Sequence, residues 1–122
     1  MKREKRDEQQ IQVMLNEIAV LESFIRDLDF DGFLDSDITQ RAVAMTMINI
    51  GELSKKFSEP MLENMTSVPW DEIRGLRNFV AHQYGDVDME RMWNTLMYDI
   101  PELKSALLIQ QSQIQGLTDA HT

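Results

Sequence analysis

Residues 77–84 have the sequence Arg77-Asn78-Phe79-Val80-Ala81-His82-Gln83-Tyr84. The three apolar residues in its centre predict a helix that docks one side into a protein core. At ~100° per residue, Asn78 and His82, which are four residues apart, lie on one face of that helix. Arg77 and Tyr84 are seven residues apart and fall within ~20° of each other on an adjoining stripe. The pattern predicts a core-docked helix that carries a polar, chemically capable face.

These polar side chains allow two interpretations. In the functional one, Arg77 holds a phosphate through two N–H groups, His82 transfers a proton near neutral pH, and Asn78 orients the other two groups. That set is suited to phosphodiester cleavage. In the structural one, Gly85 ends the helix, His82 is half-buried and hydrogen-bonded, and Arg77 is paired with a carboxylate. The eight residues alone leave both interpretations open.

Working outward from the motif, apolar residues recur at spacings of three and four in two long segments on its N-terminal side. The first predicts a helix over residues 7–29 that Asp31-Gly32 ends. The second predicts a helix that has Asp35 or Ser36 as its N-cap and runs to about Phe57. The apolar residues that this second helix is expected to carry are Ile38, Val43, Met45, Ile48 and Leu53.

The rest of the chain also favours helices. Residues 58–68 are predicted to be a connector with one helical turn, and Pro69 opens the motif helix, which stops at Gly85. Gly75 is unfavourable in a helix by about 1 kcal/mol relative to Ala, so we expect a neighbouring helix to approach it closely. A further helix starts near Asp88, and Pro101 either kinks it or begins a fifth helix.

The predicted fold class is therefore all-α, an up-and-down bundle of four to five helices. A single domain is expected over residues 1–110, with a basic N-terminal arm at residues 1–6 and a polar C-terminal tail at residues 111–122. The nine methionines are expected mainly in the core, and Trp70 and Trp93 as large core or interface anchors.

Composition excludes several classes of protein. The chain has no cysteine, which rules out disulfides and thiolate chemistry. No segment has the ~20 apolar residues that a membrane span needs, so we expect a soluble, cytoplasmic protein. The net charge is −9, and four of the twelve basic residues lie in the first six positions. Such acidity argues against a broad nucleic-acid-binding face, so any RNA site must be a local cationic pocket built from Arg74, Arg77 or Arg91.

The ordered series of motifs resembles HEPN domains, in the His-x-Tyr form of HepT-like toxins. It covers about residues 8 to 110, nearly the whole chain. The segments that carry the resemblance are Arg41-Ala42, Ile50-Gly51-Glu52-Leu53, Val68-Pro69-Trp70-Asp71-Glu72-Ile73, Gly75-Leu76-Arg77-Asn78, Val87-Asp88, Trp93 and Ile100-Pro101.

The resemblance implies a metal-independent endoribonuclease that is the toxin of a type VII (HepT/MntA-like) toxin–antitoxin system. It implies Arg77, His82 and Asn78 as catalytic residues, with no cofactor and no metal. It also implies an MntA-like nucleotidyltransferase antitoxin, which uses ATP to transfer AMP onto Tyr84.

A two-fold homodimer is expected on chemical grounds as well as by resemblance. RNA cleavage needs one group that takes the 2′-hydroxyl proton and another that protonates the leaving oxygen, and His82 is the only histidine in the predicted domain. Two chains with their motif helices side by side would supply both groups.

Glu52 and Arg74 are expected to support the site. Glu52 lies in an otherwise apolar helix segment, where a carboxylate normally requires a partner, and Arg77 or Arg74 could provide it. Such a pair could be structural, or it could tune the arginine for contact with phosphate or RNA. The alternative function is a non-catalytic helical dimer that binds nucleotide, RNA or a nucleotidyltransferase partner.

Overall fold

The computed structural model of the chain describes the backbone of residues 2–81 and 88–120 and the side chains of residues 5–76 and 88–116. The described backbone contains helices and turns but no strand, so the predicted all-α fold class is confirmed. Its elements are α1 (Lys2–Ile25), α2 (Phe30–Leu34), α3 (Asp37–Ser54), α4 (Glu59–Asn64), α5 (Trp70–Ala81), α6 (Met89–Asn94), a π-helical segment (Thr95–Asp99) and α7 (Ile100–Ala120).

The four long helices α1, α3, α5 and α7 form the bundle, and α3 packs against both α1 and α5. The core side chains recur at helical spacing, as Ile11, Met14, Ile18 and Leu21 do along α1. Each of these four is almost completely removed from water, and a buried side chain of this size contributes roughly 1.5–3 kcal/mol relative to an exposed one. The bundle is therefore held mainly by apolar packing along the long helices.

Local capping sets where four of the helices begin. The side chains of Asp29, Ser36, Ser58 and Asp88 accept hydrogen bonds from backbone N–H groups in the first turns of α2, α3, α4 and α6. Of the two predicted caps for α3, Ser36 is the one observed, and the predicted helix start near Asp88 is confirmed. The first helix was expected to continue to residue 29, but it ends at Ile25 because Asp29 instead starts the short helix α2.

A buried carboxylate joins the N-terminal helix to the connector before the motif helix. Asp7 is only 5% exposed. Its Oδ1 accepts from the Ser58 backbone N–H at 3.2 Å, and its Oδ2 accepts from the Ser58 hydroxyl at 2.6 Å. Residues 2–6, predicted as a basic arm, are helical, since α1 begins at Lys2. The start of α1 is therefore a structural part of the bundle.

A π-helical segment precedes Pro101, which was predicted either to kink a helix or to begin a new one. Proline has no N–H, and its ring would crowd the carbonyl four residues back in a regular α-helix. Over Thr95–Asp99 the helix widens, and the Ile100 N–H donates to the Thr95 carbonyl five residues back. Pro101 is then the second residue of α7. The backbone is helical without a break from residue 89 to residue 120, so the helix accommodates Pro101 by a local distortion, as in the first of the two predicted alternatives, and no separate helix begins there.

The C-terminal segment is helical beyond the predicted boundary at residue 110. Helix α7 continues to Ala120, although residues 111–122 were expected to be a polar tail. Gln110 and Ile114 are buried at a spacing that continues the core-facing stripe of Leu103 and Leu107. The polar composition hid this stripe because only one residue per turn faces the core. No helix in the described part of the chain is long and apolar enough to cross a membrane.

Candidate functional site

The motif helix α5 is fixed to the bundle at its N-terminal end. The indole N–H of Trp70 donates to the Met65 carbonyl at 3.2 Å, and its ring meets Phe57 edge-on at 5.8 Å. One turn later Ile73 and Leu76 are buried. The expectation that Trp70 is a large anchor is confirmed, and the same holds for Trp93, whose ring packs on two phenylalanines of α2.

Of the predicted catalytic residues, Arg77 and Asn78 lie on the helical backbone of α5, which is described as far as Ala81. Their side chains lie outside the described residues. His82 and Tyr84, together with the predicted helix end at Gly85, fall in residues 82–87 and are also outside the described part. The roles assigned to these residues therefore remain predictions.

The described part of α5 carries a stripe of residues that leads along the helix surface to the motif. At ~100° per residue, Asp71, Gly75 and Asn78 fall within about 60° of one another around the helix axis. Gly75 precedes Asn78 by three residues, a rise of ~4.5 Å along the axis. Whatever binds in front of Gly75 therefore lies next to the backbone position of a predicted catalytic residue.

A groove opens on this side of α5, between α5 and the α6–π segment. Its volume is about 180 Å³, and its lining residues are Asp71, Glu72, Gly75, Leu76, Arg91 and Thr95. One wall carries carboxylates and the other a guanidinium, with apolar surface from Leu76 between them. The groove is large enough for several water molecules or one flat ring, but it is smaller than the ~300 Å³ at which drug-sized ligand sites begin.

The electrostatics of the groove are mainly acidic. Arg91 Nη2 lies 3.7 Å from Glu72 Oε2, and both side chains are more than half exposed. Burial raises the pKa of the nearby Asp99 carboxyl above its ordinary value of 3.8, and the negative charge of Glu72 raises it further. Arg91, which was considered for a cationic RNA pocket, thus faces a carboxylate across the groove. A phosphate would meet a net negative field there.

Gly75 itself differs from the expectation. A neighbouring helix was predicted to approach it closely, but a Cβ built at this position meets no heavy atom within 4 Å among the described residues outside its own helix. Its backbone φ is not positive, so no special conformation requires glycine. The prediction of close packing within the described chain was wrong, because Gly75 lines the open groove and not a helix–helix contact.

Two further predicted site residues lie within the described side chains. Arg74 is half-buried on α5. Glu52 lies near the end of α3, and Lys55 Nζ is 3.5 Å from its Oε1. That oxygen is itself buried. Lys55 is a partner that the sequence did not suggest, and the predicted pairing of Glu52 with Arg77 falls outside the described side chains.

The sequence did not indicate that some apolar side chains of α3 are exposed. Ile38 and Met45 were expected to belong to the apolar set of this helix, yet they are 82% and 61% exposed. They are seven residues apart and share a stripe, whereas Val43, Met47 and Ile50 face the core. The sequence could not separate these two stripes because α3 is apolar on more than one side. Since α3 also packs directly against α5, this stripe lies on the helix that neighbours the motif helix.

Within the described part of the chain, no group of three or more histidine, aspartate and glutamate side chains is arranged to hold a metal ion. The site as described consists of two features: a mixed-charge groove beside the motif helix and an exposed apolar stripe on the adjacent helix.

Comparisons with known proteins identify the family. The model of the family described as "Ribonuclease HepT-like" matches residues 14–108. The "Probable ribonuclease HepT" of Thermococcus cleftensis is 34% identical over 85% of this chain and 93% of that protein. The "Putative RNase MJ1380" of Methanocaldococcus jannaschii is 31% identical over 70% of this chain and 79% of that protein. No solved structure matches the chain. The matched region includes all of residues 77–84 and most of the bundle, so the chain belongs to the HepT-like ribonuclease family of HEPN proteins.

Proposed function

We propose that this chain is a metal-independent HEPN endoribonuclease and the toxin of a type VII, HepT/MntA-like toxin–antitoxin system. The observation that carries the proposal is the family match over residues 14–108, which spans the complete motif. Relatives that carry ribonuclease names align over most of their own length, which supports the same activity for this chain.

The chemistry assigned to the motif is cleavage through the 2′-hydroxyl of RNA. The 2′-oxygen bonds to phosphorus while the bond to the 5′-oxygen breaks, which leaves a cyclic phosphate and a free 5′-hydroxyl. One His82 takes the 2′-hydroxyl proton, and a second protonates the leaving 5′-oxygen. Arg77 holds and neutralises the phosphate as charge builds on it, and Asn78 fixes the geometry. Arg74 contacts the RNA backbone, and Glu52 supports the site by pairing with Arg77 or Arg74.

Two copies of the chain are needed to bring two His82 side chains to one phosphate, so the active form is a homodimer. The exposed Ile38 and Met45 stripe on α3 supports this arrangement, because it lies on the helix that packs against α5. Burial of such side chains against a second copy would contribute roughly 1.5–3 kcal/mol for each one that is fully covered. In a two-fold dimer each contact occurs twice, so the stripes of both copies contribute to the free energy of association.

Control of the enzyme is assigned to Tyr84 and a nucleotidyltransferase partner. The phenolic oxygen bonds to the α-phosphorus of ATP, pyrophosphate leaves, and the phenol proton is lost to solvent. The AMP group adds a negative charge seven residues from Arg77, where it would compete with the substrate phosphate.

The test is RNA cleavage by the purified chain and two variants. Arg77→Ala and His82→Ala should each abolish cleavage while the helical circular-dichroism signal and the unfolding temperature are kept. Arg26→Ala removes an exposed arginine, and His121→Ala removes the only other histidine, so these are matched controls that should cleave normally. Full activity in either motif variant would show the assigned roles to be wrong. EDTA should have no effect, and inhibition by EDTA that magnesium reverses would overturn metal independence.

The acidity of the chain favours one second candidate, a non-catalytic helical dimer that binds nucleotide, RNA or a nucleotidyltransferase partner. A net charge of −9 and an acidic groove beside α5 suit a partner with a basic surface better than they suit a polyanion. Binding of RNA without any release of cleaved product by the wild-type chain would favour this candidate.

A further inference from the structure

Gly75 has no structural reason to be glycine within the described chain. It lies in the middle of α5, where glycine is unfavourable relative to alanine, its φ is ordinary, and the space in front of it is open. The missing side chain exposes a flat strip of helix backbone as part of one wall of the groove. A β-carbon would project into the volume that the groove leaves open.

The lining of the groove has both hydrogen-bond acceptors and donors. Asp71 and Glu72 present carboxylate oxygens from α5, and Arg91 presents guanidinium N–H groups from α6. The Glu72–Arg91 pair is exposed and 3.7 Å apart, a type of ion pair that is easily opened. A ligand that offers two donors on one edge and two acceptors on another could replace this pair with direct hydrogen bonds to both residues.

Guanine has this pattern of groups. Its N1–H and N2–H groups are adjacent, parallel donors that match the two oxygens of a carboxylate, and its O6 and N7 are acceptors that match an arginine. Adenine has only the exocyclic amine as a donor, and uracil has a single N–H. Phosphate is disfavoured by the negative field of the carboxylates, and the approximately 180 Å³ of the groove suits one base better than a whole nucleotide.

We propose that the groove between α5 and α6, floored by Gly75 and Leu76 and flanked by Glu72 and Arg91, binds an unpaired guanine of the RNA substrate. This inference rests on the proposed ribonuclease function. The stripe geometry places the guanine next to the backbone of Asn78, so a base held there would set which phosphate reaches the motif. Single-stranded bases splayed onto a protein surface are the usual targets of sequence-specific RNA recognition. The groove is a specificity site, and cleavage itself belongs to the motif.

The experiment uses short single-stranded RNAs that are identical except for one position, which holds guanosine, inosine or adenosine. Inosine lacks only the N2 amine. Cleavage rates and binding by fluorescence anisotropy are measured for the full chain. The wild type should bind and cleave the guanosine RNA about tenfold better than the inosine RNA, because inosine cannot make one of the two hydrogen bonds to the carboxylate.

Gly75→Ala is the key variant, and Gly116→Ala is its matched control. Both glycines are helical, and a Cβ at either one meets no heavy atom of the described residues within 4 Å, but Gly116 lies on α7, away from the residues that line the groove. Both substitutions should raise the unfolding temperature by roughly 2–5 °C through helix propensity. Only Gly75→Ala should also bring the guanosine-to-inosine ratio close to one. Glu72→Gln should lower the same ratio by removing one of the paired acceptor oxygens.

The outcomes separate this proposal from the ribonuclease function. Cleavage by the wild type at equal rates for the three RNAs would overturn the guanine site while the nuclease stands. Absence of cleavage would overturn the nuclease, and the anisotropy measurement would then still test guanine binding. If Gly75→Ala left an existing guanosine preference unchanged, the groove would not be its source, and the proposed guanine site would be refuted.

Discussion

Replacement of Asp7 by alanine should destabilise the whole bundle. Asp7 lies in α1 immediately after residues 1–6, which were predicted to be an arm outside the domain. The residue is 5% exposed, and its carboxylate accepts two hydrogen bonds, from the backbone N–H and the hydroxyl of Ser58. Hydrogen bonds to a charged group contribute ~1.5–3 kcal/mol each, and the two are not additive because they share one carboxylate. Asp7→Ala would also leave the Ser58 N–H, which is partly buried, without its acceptor. We expect a loss of about 2–4 kcal/mol in the free energy of unfolding.

The assay is equilibrium unfolding in urea at one fixed protein concentration, because association of subunits would make stability depend on concentration. With a urea slope of ~1–3 kcal/mol per molar, the midpoint should fall by roughly 1 M or more. Asp7→Asn keeps one acceptor oxygen and the size of the side chain. Its free energy of unfolding should therefore fall by about half as much as that of Asp7→Ala.

Asp37→Ala is the matched control. Asp37 forms an exposed ion pair with Arg41, at 2.9 Å, in the first turn of α3. Such a pair and its interaction with the helix dipole contribute under about 1 kcal/mol. If Asp7→Ala cost no more than Asp37→Ala, the claim that the Asp7–Ser58 contact ties α1 to α4 would be refuted.

Three further predictions concern charge, association and control. Because burial and Glu72 raise the pKa of Asp99, the folded state holds its proton more tightly than the unfolded state, so stability falls as pH rises through the window above 3.8. Asp99→Asn should therefore raise the unfolding temperature at pH 7, and a variant no more stable than wild type at that pH would contradict the argument. Met45→Glu places a charge in the exposed α3 stripe and should convert a dimer to monomers in light scattering, while an unchanged dimer would move the interface elsewhere. Co-expression with a cognate nucleotidyltransferase should add AMP to Tyr84 and not to the exposed Tyr98, so Tyr84→Phe should abolish the mass increase; an adduct that persists in this variant would exclude Tyr84 as the acceptor.

Local features of the sequence were sufficient for the helices and the family. Ser36 and Asp88 are capping residues whose partners lie three residues away, so their effect does not depend on the rest of the chain. The core stripe of α1 follows from the spacing of its apolar residues, which fixes one buried face. The order of motifs around residues 77–84 was enough to indicate the HepT-like family.

Other features depend on residues that are distant in sequence. Asp7 and Ser58 are 51 residues apart, and no local pattern pairs them. The groove exists because Glu72 on α5 and Arg91 on α6 are brought to 3.7 Å by packing of the bundle. Among the described residues, the same packing leaves open space in front of Gly75, where a neighbouring helix was expected.

The contrast has a physical basis in the range of the interactions involved. Capping, helix propensity and periodicity act within one or two turns, so the sequence by itself determined that the chain is helical, where several helices begin, and which residues form the motif. Which apolar stripe of α3 is buried depends on which helices cover it, and that is a property of the assembled bundle. Only the tertiary structure could therefore expose Ile38 and Met45 and bring the two walls of the groove together.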